Sequence, residues 1–454
     1  MDNSLIEKYN VPGPRYTSYP TVPYWDNDTF SSKLWKSSVK RSFDESNSKE
    51  GISLYIHLPF CESLCTFCGC HKRITKQHDV ESPYINALLK EWSLYLELFG
   101  EKPIIKELHL GGGTPTFFSP KNLKELINGI LKLSNLAENY EFSFEGHPNN
   151  TTREHLQALY DVGFRRVSFG VQDYNEKVQK AIHRIQPFEN VKRATENARE
   201  IGYTSVGHDI IFGLPFQKLE HVKTTILNTK LLHPDRLAFY SYAHVPWIKG
   251  NGQRGFNDSD IPSAPLKRAQ YELGKTMLKE AGYEDIGMDH FALTSDSLYT
   301  SMKTGKLHRN FMGYTASKTQ LMIGLGVSSI SDSWYGFAQN VKNIEEYYHL
   351  IQERILPVFK GHVLSNEDLI IRRHILNLMC DFKTSWSSTN LYFKELPDVL
   401  IKLKEMEHDG LLEISNTTIT VLSKGRPYVR NICMAFDLLL QRKKPDTQLF
   451  SMTV

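Results

Sequence analysis

The sequence predicts an α/β protein in which single strands alternate with single helices. Short apolar runs are separated by longer stretches whose apolar residues recur every three or four positions, as they do on one face of a helix. Strands separated by single helices indicate repeated βα units and a parallel sheet. Six or more units suit a complete or partial barrel, in which the chemistry collects at the C-terminal ends of the strands.

The apolar runs define the predicted strands, and the amphipathic stretches between them define the predicted helices. The strands cover residues 54–57, 105–110, 141–145, 166–171, 205–212, 236–242 and 284–287. The helices cover residues 84–99, 120–133, 153–162, 188–201, 219–231 and 265–281.

The C-terminal part of the chain predicts a mainly helical domain. Residues 366–379 and 396–408 are helix-like, 411–414 and 418–422 predict a β-hairpin, and a last helix is predicted over 425–440. Helices followed by a hairpin and a helix resemble a small winged-helix domain. The predicted wing carries Glu413 and few cations, so we expect it to pack over the barrel mouth and not to bind nucleic acid.

We therefore expect an N-terminal extension that covers the active site (1–50), a barrel (51–360) and the helical domain (361–454). The chain has 454 residues, of which 40% are hydrophobic and 23% charged, and these are ordinary values for a globular protein. Its formal charge of +3 does not argue for a nucleic-acid partner. The sequence shows neither an apolar run of membrane-spanning length nor a signal sequence, so we expect a cytoplasmic protein with no membrane partner. We expect a monomer by default.

Four of the six cysteines fall within ten residues, at Cys61, Cys65, Cys68 and Cys70. The first three, spaced C-x3-C-x2-C, can hold three irons of a [4Fe–4S] cluster and leave the fourth iron open to a ligand. A structural zinc site usually has a second cysteine pair, which this sequence lacks, and disulfides are not expected at this low cysteine content. Cys70 is poorly spaced for a fourth ligand, and a buried free thiol is the alternative for it.

Two further features follow the next predicted strands, at the same edge of the sheet as the cysteine loop. The run Gly111-Gly112-Gly113-Thr114-Pro115 follows the second strand. Without Cβ atoms its backbone can approach a ligand and offer N–H donors, although a simple tight turn is an alternative. Glu145 ends the third strand, where it either faces solvent or accepts hydrogen bonds from ribose hydroxyls.

The motif C-x3-C-x2-C, with Phe67 before the third cysteine, resembles the signature of the radical S-adenosylmethionine (SAM) superfamily. Motifs along almost the whole chain resemble the oxygen-independent coproporphyrinogen III oxidase family. These motifs are the segments 13–21 (GPRYTSYPT), 68–70 (CGC), 170–173 (GVQD), 213–215 (GLP), 242–244 (YAH), 287–292 (GMDHFA), 308–311 (HRNF) and 430–434 (RNICM).

This resemblance implies a radical SAM barrel of the partial (β/α)6 type and oxygen-independent oxidative decarboxylation. Two propionates of coproporphyrinogen III would become vinyl groups, giving protoporphyrinogen IX in haem biosynthesis. A reduced [4Fe–4S] cluster would cleave SAM to a 5′-deoxyadenosyl radical, which removes a hydrogen atom from the propionate. An electron donor of the flavodoxin or ferredoxin type and an unknown electron acceptor are implied. The alternatives are a radical SAM enzyme acting on another tetrapyrrole and a haem-binding chaperone.

The resemblance also implies roles for individual residues. The cluster would be held by Cys61, Cys65 and Cys68. A SAM bound to the cluster would contact Tyr55, Gly112, Glu145 and Ile330. A second SAM would contact Phe67, Gly113, Thr114, Gln172, Arg184, Asp209 and Ala243.

Substrate recognition is less specific in the sequence. Arginines and aromatic residues should line a pocket for an apolar macrocycle with four carboxylates, and the candidates are Arg15, Tyr16, Tyr19, His290 and Arg309. Three positions depart from the family pattern, in which an acid is more common at His147, a glutamine at Met312 and an acid at Leu321. These departures put the second SAM site and the substrate site in doubt.

Overall fold

The structure is a computed structural model, and it describes residues 3–245, 253, 255–387, 389–443 and 447–453. The helices, in chain order, are α1 (Asn3–Tyr9), α2 (Ser32–Glu50), α3 (Glu81–Phe99), α4 (Pro120–Leu131), α5 (Arg153–Asp161), α6 (Glu176–Ala181), α7 (Phe188–Ile201), α8 (Leu219–Leu232), α9 (Ala264–Glu280), α10 (Ser297–Lys303), α11 (Ile344–Gln352), α12 (Asn366–Asp381), α13 (Leu396–His408), α14 (Val429–Phe436) and α15 (Leu438–Arg442).

The strands, in chain order, are β1 (Ile52–Leu58), β2 (Phe60–Cys61), β3 (Arg73–Ile74), β4 (Ile104–Gly112), β5 (Asn135–Gly146), β6 (Arg166–Gln172), β7 (Ser205–Phe212), β8 (Arg236–Ser241), β9 (Tyr283–Gly287), β10 (His290–Leu293), β11 (His308–Asn310), β12 (Gly313–Thr315), β13 (Leu321–Leu325), β14 (Ile330–Asp332), β15 (Gly336–Asn340), β16 (Val358–Val363), β17 (Lys383–Ser385), β18 (Leu412–Ile414) and β19 (Thr418–Val421).

The main sheet has the order β16-β15-β14-β13-β1-β4-β5-β6-β7-β8-β10-β9. Strands β1, β4, β5, β6, β7 and β8 are neighbours in chain order and parallel, each separated from the next by helix. Within the described ranges no ladder joins β9 to β16, so the barrel is partial. The predicted fold class, six βα units in a partial barrel, is confirmed.

Both edges of the sheet differ from the expectation of continued βα units. The strand predicted at 284–287 is β9, but it pairs antiparallel with β10 at the edge of the sheet. At the other side β13, which was not predicted, pairs parallel with β1. Strands β14 and β15 then follow β13 as antiparallel neighbours. A β-hairpin adds a strand without a crossover helix, which is why helix–strand alternation fails from β9 to β10 and from β13 to β15.

Two hydrophobic cores are the largest among the described residues. The larger lies between the sheet and its outer helices, and strand residues such as Leu54, Ile56, Leu108 and Leu110 are fully buried in it. Alternate residues of the same strands point to the other face, so the barrel interior receives the polar positions. Helices begin where the sequence supplies caps, as at Ser119, whose hydroxyl accepts from the N–H of Asn122.

The first fifty residues contribute to both cores. In α2 the side chains of Trp35 and Phe43 pack into the barrel core. Leu5 and Tyr9 instead pack with helices and strands of the C-terminal region. The expected boundaries at residues 50 and 360 stay a prediction.

The C-terminal region is helical with a small antiparallel sheet in the order β17-β19-β18, so the predicted hairpin is present. The prediction of one helix over 425–440 is wrong. The chain forms α14 and α15, with a break at Asp437, whose side chain accepts from the N–H of Leu440 and from the hydroxyl of Tyr16. An acid that caps a new helix start competes with helix continuation. None of the described helices has the length and apolarity needed to cross a bilayer.

A buried carboxyl on α3 bonds to residues at or next to the ends of β13 and β15, on the side of the sheet that was not predicted from the sequence. Glu91 accepts hydrogen bonds from the N–H of Gly326 at 2.8 Å, the hydroxyl of Tyr347 at 2.7 Å and the amide of Asn340 at 2.7 Å. Burial raises its pKa to about 7 from 4.5. The folded state therefore holds this proton between pH 4.5 and 7 where the unfolded state has lost it, and the group's contribution to stability falls as pH rises through that window.

We expect the substitution Glu91→Gln to remove this pH dependence. Relative to the wild type, the variant should gain several degrees in unfolding temperature between pH 5 and pH 8, measured by circular dichroism. Glu97→Gln, an exposed change on the same helix, is the matched control and should show no such trend. Parallel curves for the wild type and Glu91→Gln over this range would contradict the assignment.

Candidate active site

The cysteine loop leaves the C-terminal end of β1 and is held in place by backbone contacts. Cys61 ends β2, which pairs with β3 farther along the same loop. The middle of the loop is tied to the end of α6, where the N–H and hydroxyl of Thr66 donate to the carbonyls of Ile182 and Ala181. The loop is thus fixed at the edge of the sheet where the sequence predicts it.

The three spaced cysteines face one cavity. Its lining includes four residues expected to contact the second SAM, namely Phe67, Gly113, Thr114 and Arg184, and a further cation, Lys72. The hydroxyl of Thr114 lies 3.3 Å from the sulfur of Cys61, and Arg184 Nη1 donates to the sulfur of Cys65 at 3.7 Å.

The thiols differ in electrostatic surroundings. Burial raises the pKa of Cys61 to about 11. The pKa of Cys68 is lowered to about 6, mainly by the neighbouring thiol of Cys70 and to a smaller extent by the positive charges of Lys72 and Arg184. Lys72 also donates to the carbonyls of Cys68 and Cys70 at 3.0 and 3.2 Å. Cations beside several thiols favour thiolates and an anionic group among them.

These residues fit an iron–sulfur cluster better than a single ion. Among the residues that the structure describes, no three cysteine, histidine or acidic side chains are grouped closely enough to hold one metal ion. A [4Fe–4S] cluster is held by thiolates on different irons, and three thiols that share a cavity with Arg184 and Lys72 match that donor set. Cys70 is exposed beside Cys68.

The glycine run allows the loop after β4 to lie against the cysteine loop. A Cβ at Gly113 would lie 2.6 Å from the carbonyl oxygen of Pro59, and Gly112 has a φ of +116°. The N–H groups of Gly113 and Thr114 donate to the carbonyls of Leu58 and Phe60. The expectation that these N–H groups are open to a ligand is therefore wrong for both residues, because the cysteine loop already uses them.

Tyr55 points into the barrel interior from β1. Its hydroxyl lies 3.0 Å from Nδ1 of His57, whose Nε2 lies 3.0 Å from the carbonyl of His71. Because a carbonyl only accepts, His57 carries its proton on Nε2 and accepts from Tyr55 through Nδ1. Burial lowers the pKa of His57 to about 4, so the ring is neutral.

Glu145 is positioned by a second chain of hydrogen bonds. Arg166 Nη2 donates to the hydroxyl of Ser143 at 2.9 Å, and that hydroxyl lies 2.7 Å from Nδ1 of His109. Nε2 of His109 lies 3.5 Å from Glu145 Oε1. The Glu145 side chain is 48% exposed, so its carboxylate is accessible.

Asp209 shares the lining of an interior cavity with Glu145 and Tyr240. It accepts a hydrogen bond from the hydroxyl of Ser168 at 3.0 Å. Burial raises the pKa of Asp209 to about 7, and the nearby negative charge of Glu145 makes a smaller contribution in the same direction. The carboxyl is therefore poised to change its charge near neutral pH.

Of the remaining predicted residues, Gln172, Ala243 and Ile330 line neither of these two cavities. Gln172 ends β6 with a φ of 65°, and Arg184 donates to the carbonyl of Gly170 at 2.6 Å, which places both near the cysteine loop. Ala243 follows β8, and its carbonyl accepts from Gln253. Ile330 begins β14, two strands from Tyr55, and is half-buried against Trp25 and Phe337.

The candidate residues for substrate recognition lie in different parts of the structure. Tyr16 and Tyr19 are buried in the C-terminal core, and Arg309 donates to the carbonyls of Arg15 and Tyr16. His290 lines the interior cavity, and Arg15 lines another cavity at the barrel rim.

The three departures also differ in position. His147 lines the cysteine cavity, where burial followed by the charge of Arg184 lowers its pKa to about 3. Met312 lines the interior cavity. Leu321 is fully buried in β13, where it belongs to the barrel core.

Four residues of the barrel interior were not predicted from the sequence, namely His57, His109, Ser143 and Arg166. A signal for them exists, because interior positions recur with period two along each strand. In the parallel register Tyr55 pairs with His109, which pairs with Ser143, which pairs with Arg166. Aligned polar residues at the inward positions of adjacent strands would have predicted this network.

The partial barrel and the cysteine loop at its C-terminal edge define a radical SAM protein. The model of the radical SAM superfamily matches residues 55–227. The chain is 39% identical to the oxygen-independent coproporphyrinogen III oxidase of Helicobacter pylori, with 97% of each chain covered. It is 38% identical to that of Escherichia coli K12, with 100% and 98% covered. The solved structure of coproporphyrinogen III oxidase from Escherichia coli, a radical SAM enzyme, superposes with a TM-score of 0.89 at 36% identity, covering 96% of this chain and 98% of that one.

This chain therefore belongs to the oxygen-independent coproporphyrinogen III oxidase family. It is accordingly a radical SAM oxidoreductase that uses a [4Fe–4S] cluster and SAM.

We expect Gly113→Ala to impair the cluster site. The new Cβ would collide with backbone atoms of Pro59 and Phe60, so the cysteine loop must move. Displacement of a reacting group by about 1 Å can cost about a hundredfold in rate, and we expect a loss of that order in reductive SAM cleavage.

Gly69→Ala is the matched control in the same loop, since no atom lies within 4 Å of its added Cβ. It should keep the wild-type iron content and rate of SAM cleavage. Wild-type cleavage by Gly113→Ala would show that the close approach is unimportant.

Proposed function

We propose that this chain catalyses the oxygen-independent oxidative decarboxylation of two propionates of coproporphyrinogen III to vinyl groups, giving protoporphyrinogen IX for haem biosynthesis. One observation carries the proposal: three cysteines and Arg184 line a single cavity at the C-terminal edge of the barrel. Relatives named for this activity match it along nearly the whole chain.

Cys61, Cys65 and Cys68 would hold the cluster. When bound, the reduced cluster and SAM supply a 5′-deoxyadenosyl radical. This radical can take a hydrogen atom from an unactivated carbon, which no protein base is strong enough to deprotonate. The side chains of the protein would bind and orient the cluster, SAM and the substrate, and shield them from water. Lys72 and Arg184 offset the negative charge of the thiolates, and Thr114 is positioned beside Cys61.

We propose that Tyr55, Gly112, Glu145 and Ile330 contact the SAM on the cluster. The neutral His57 would act as a positioning residue for Tyr55, and His109 would position Glu145; the acceptor oxygens of Tyr55 and Glu145 suit ribose hydroxyls or the amino group.

A second SAM would contact Phe67, Gly113, Thr114, Gln172, Arg184, Asp209 and Ala243. Four of these seven, namely Phe67, Gly113, Thr114 and Arg184, line the cysteine cavity, which supports a ligand there. Asp209 lies apart from them in the interior cavity and would accept hydrogen bonds from hydroxyl groups.

The remaining proposals concern partners and organisation. They are reduction by a flavodoxin or ferredoxin, a separate electron acceptor, a monomeric state and a cytoplasmic location. We also propose the division into an N-terminal extension, a barrel and a C-terminal domain at residues 50 and 360.

The proposed activity predicts that the reconstituted chain converts coproporphyrinogen III anaerobically to protoporphyrinogen IX. SAM and a reductant should yield 5′-deoxyadenosine and methionine, followed by mass spectrometry. Cys65→Ala should abolish both conversions, because a cluster ligand is lost. Cys380→Ala, a change in a buried thiol far along the chain, should keep them.

Cleavage of SAM without consumption of coproporphyrinogen III would favour another tetrapyrrole substrate. Stoichiometric haem binding without any cleavage of SAM would favour the chaperone.

The proposed role of Asp209 predicts a pH dependence. Only its ionised form accepts hydrogen bonds at both oxygens, and its pKa of about 7 makes the ionised fraction rise about tenfold between pH 6 and pH 8. The KM for SAM should fall by a comparable factor, and Asp209→Asn should flatten that profile. Asp161→Asn, an exposed change, should leave it as in the wild type. An unchanged profile in Asp209→Asn would exclude this role.

A further inference from the structure

A cationic cavity lies at the rim of the barrel, outside the cysteine and interior cavities. Phe212 and Ser241, at the C-terminal ends of β7 and β8, form its floor. Arg15 of the N-terminal segment, Lys267 of α9 and Arg430 of α14 line its walls. Three separate parts of the chain thus direct a cation to one place, on the edge of the sheet where the active site lies.

Acids balance only some of the cations, since Asp285, which also lines the cavity, pairs with Lys275 at 2.6 Å. Asp289 forms an ion pair with Arg15 at 3.1 Å. Among the described residues, neither Lys267 nor Arg430 forms an ion pair. Lys267 donates to the carbonyl of Tyr242 at 3.0 Å, which leaves two of its three protons for another acceptor. Burying charge without a counter-charge is costly, so the cavity favours an anion.

Arg430 has a structural function as well. It donates to the carbonyls of Gly13, Pro14, Met452 and Thr453, so it ties the N-terminal segment to the end of the chain. These carbonyls accept the hydrogen bonds of Arg430, but they are neutral and do not compensate its positive charge. Burial, followed by the charge of Arg15, lowers the pKa of both Lys267 and Arg430, to about 8 and about 9, which agrees with crowding of like charges.

The cavity also has an apolar side, formed by the rings of Phe212, Tyr271 and Phe382 and by Met288. A ligand that joins carboxylates to an apolar ring system matches both sides. Ser241, which lines the cavity, lies two residues before Ala243, a proposed contact of the second SAM.

We propose that this cavity binds a propionate carboxylate of the tetrapyrrole, with Lys267 as the principal donor and Arg15 as the second. The inference rests on the proposed function, because it takes coproporphyrinogen III as the ligand. A carboxylate held at the rim would anchor the macrocycle while another propionate reaches the reacting atoms. The methionine part of SAM also carries a carboxylate, and the experiment separates the two sources.

The test compares Lys267→Met with Lys267→Arg in the reconstituted holoenzyme. Lys267→Met removes the charge and keeps the length of the side chain. It should raise the KM for coproporphyrinogen III about tenfold or more, as expected for a lost charge-assisted hydrogen bond. The KM for SAM should stay within twofold, and Lys267→Arg should recover most of the affinity. Lys279→Met, an exposed change on the same helix, should match the wild type.

A binding measurement supplements the kinetics. Quenching of coproporphyrin III fluorescence gives its affinity for each variant, and the tetramethyl ester, solubilised in dilute detergent, lacks the carboxylates. Lys267→Met should weaken binding of the free acid and not of the ester. Cluster absorbance and the unfolding temperature show whether each variant is folded.

The outcomes distinguish this inference from the proposed function. If the wild type cleaves SAM but leaves coproporphyrinogen III unchanged, the proposed function fails and the inference falls with it. If the wild type is active and Lys267→Met keeps its KM for coproporphyrinogen III within twofold, only the inference is overturned. A raised KM for SAM alone would assign the cavity to the methionine carboxylate and overturn it as well.

Discussion

The contact between the loop after β4 and the cysteine loop is the constraint on which the candidate active site depends. The N–H groups of Gly113 and Thr114 donate to the carbonyls of Leu58 and Phe60, immediately before Cys61. This contact requires a residue without a Cβ at position 113. It anchors the entry to the loop that carries Cys61, Cys65, Cys68 and Cys70 to the end of β4. Thr114 and Arg184 can then lie beside two of the thiols.

The barrel separates its two kinds of chemistry by the alternation of side chains along a strand. Outward residues such as Leu54 and Leu108 form the apolar core beneath the helices. Inward residues form polar chains in which His57 contacts Tyr55 and His109 contacts Glu145, and the first of these chains fixes the tautomer of His57. Such networks are worth their cost when every member has a partner, because unsatisfied polar groups are expensive to bury. Asp209 accepts from Ser168 in the same interior, where burial raises the pKa of its carboxyl.

The ends of the chain complete the rim of the barrel. Leu5, Tyr9, Tyr16 and Tyr19 are packed into the C-terminal core, while α2 packs into the barrel core. Arg430 joins the first and last segments through their carbonyls. The N-terminal segment therefore links the two cores, and it brings Arg15 to the cavity that Lys267 also lines. Substrate recognition at this rim would depend on both ends being in place.

The sequence by itself determined the βα repeat, the position of the cysteine loop at the edge of the sheet and the family, because period, spacing and motif are local properties. It did not determine the antiparallel edges, the break at Asp437 or the partners of Glu91, since these depend on residues far apart in the chain. The same holds for His109, whose role follows from the register of β4 against β5, and for Lys267. An exposed lysine and a half-buried one are alike in sequence, and only folding places Lys267 beside Arg15 and Arg430 without an acid to pair it.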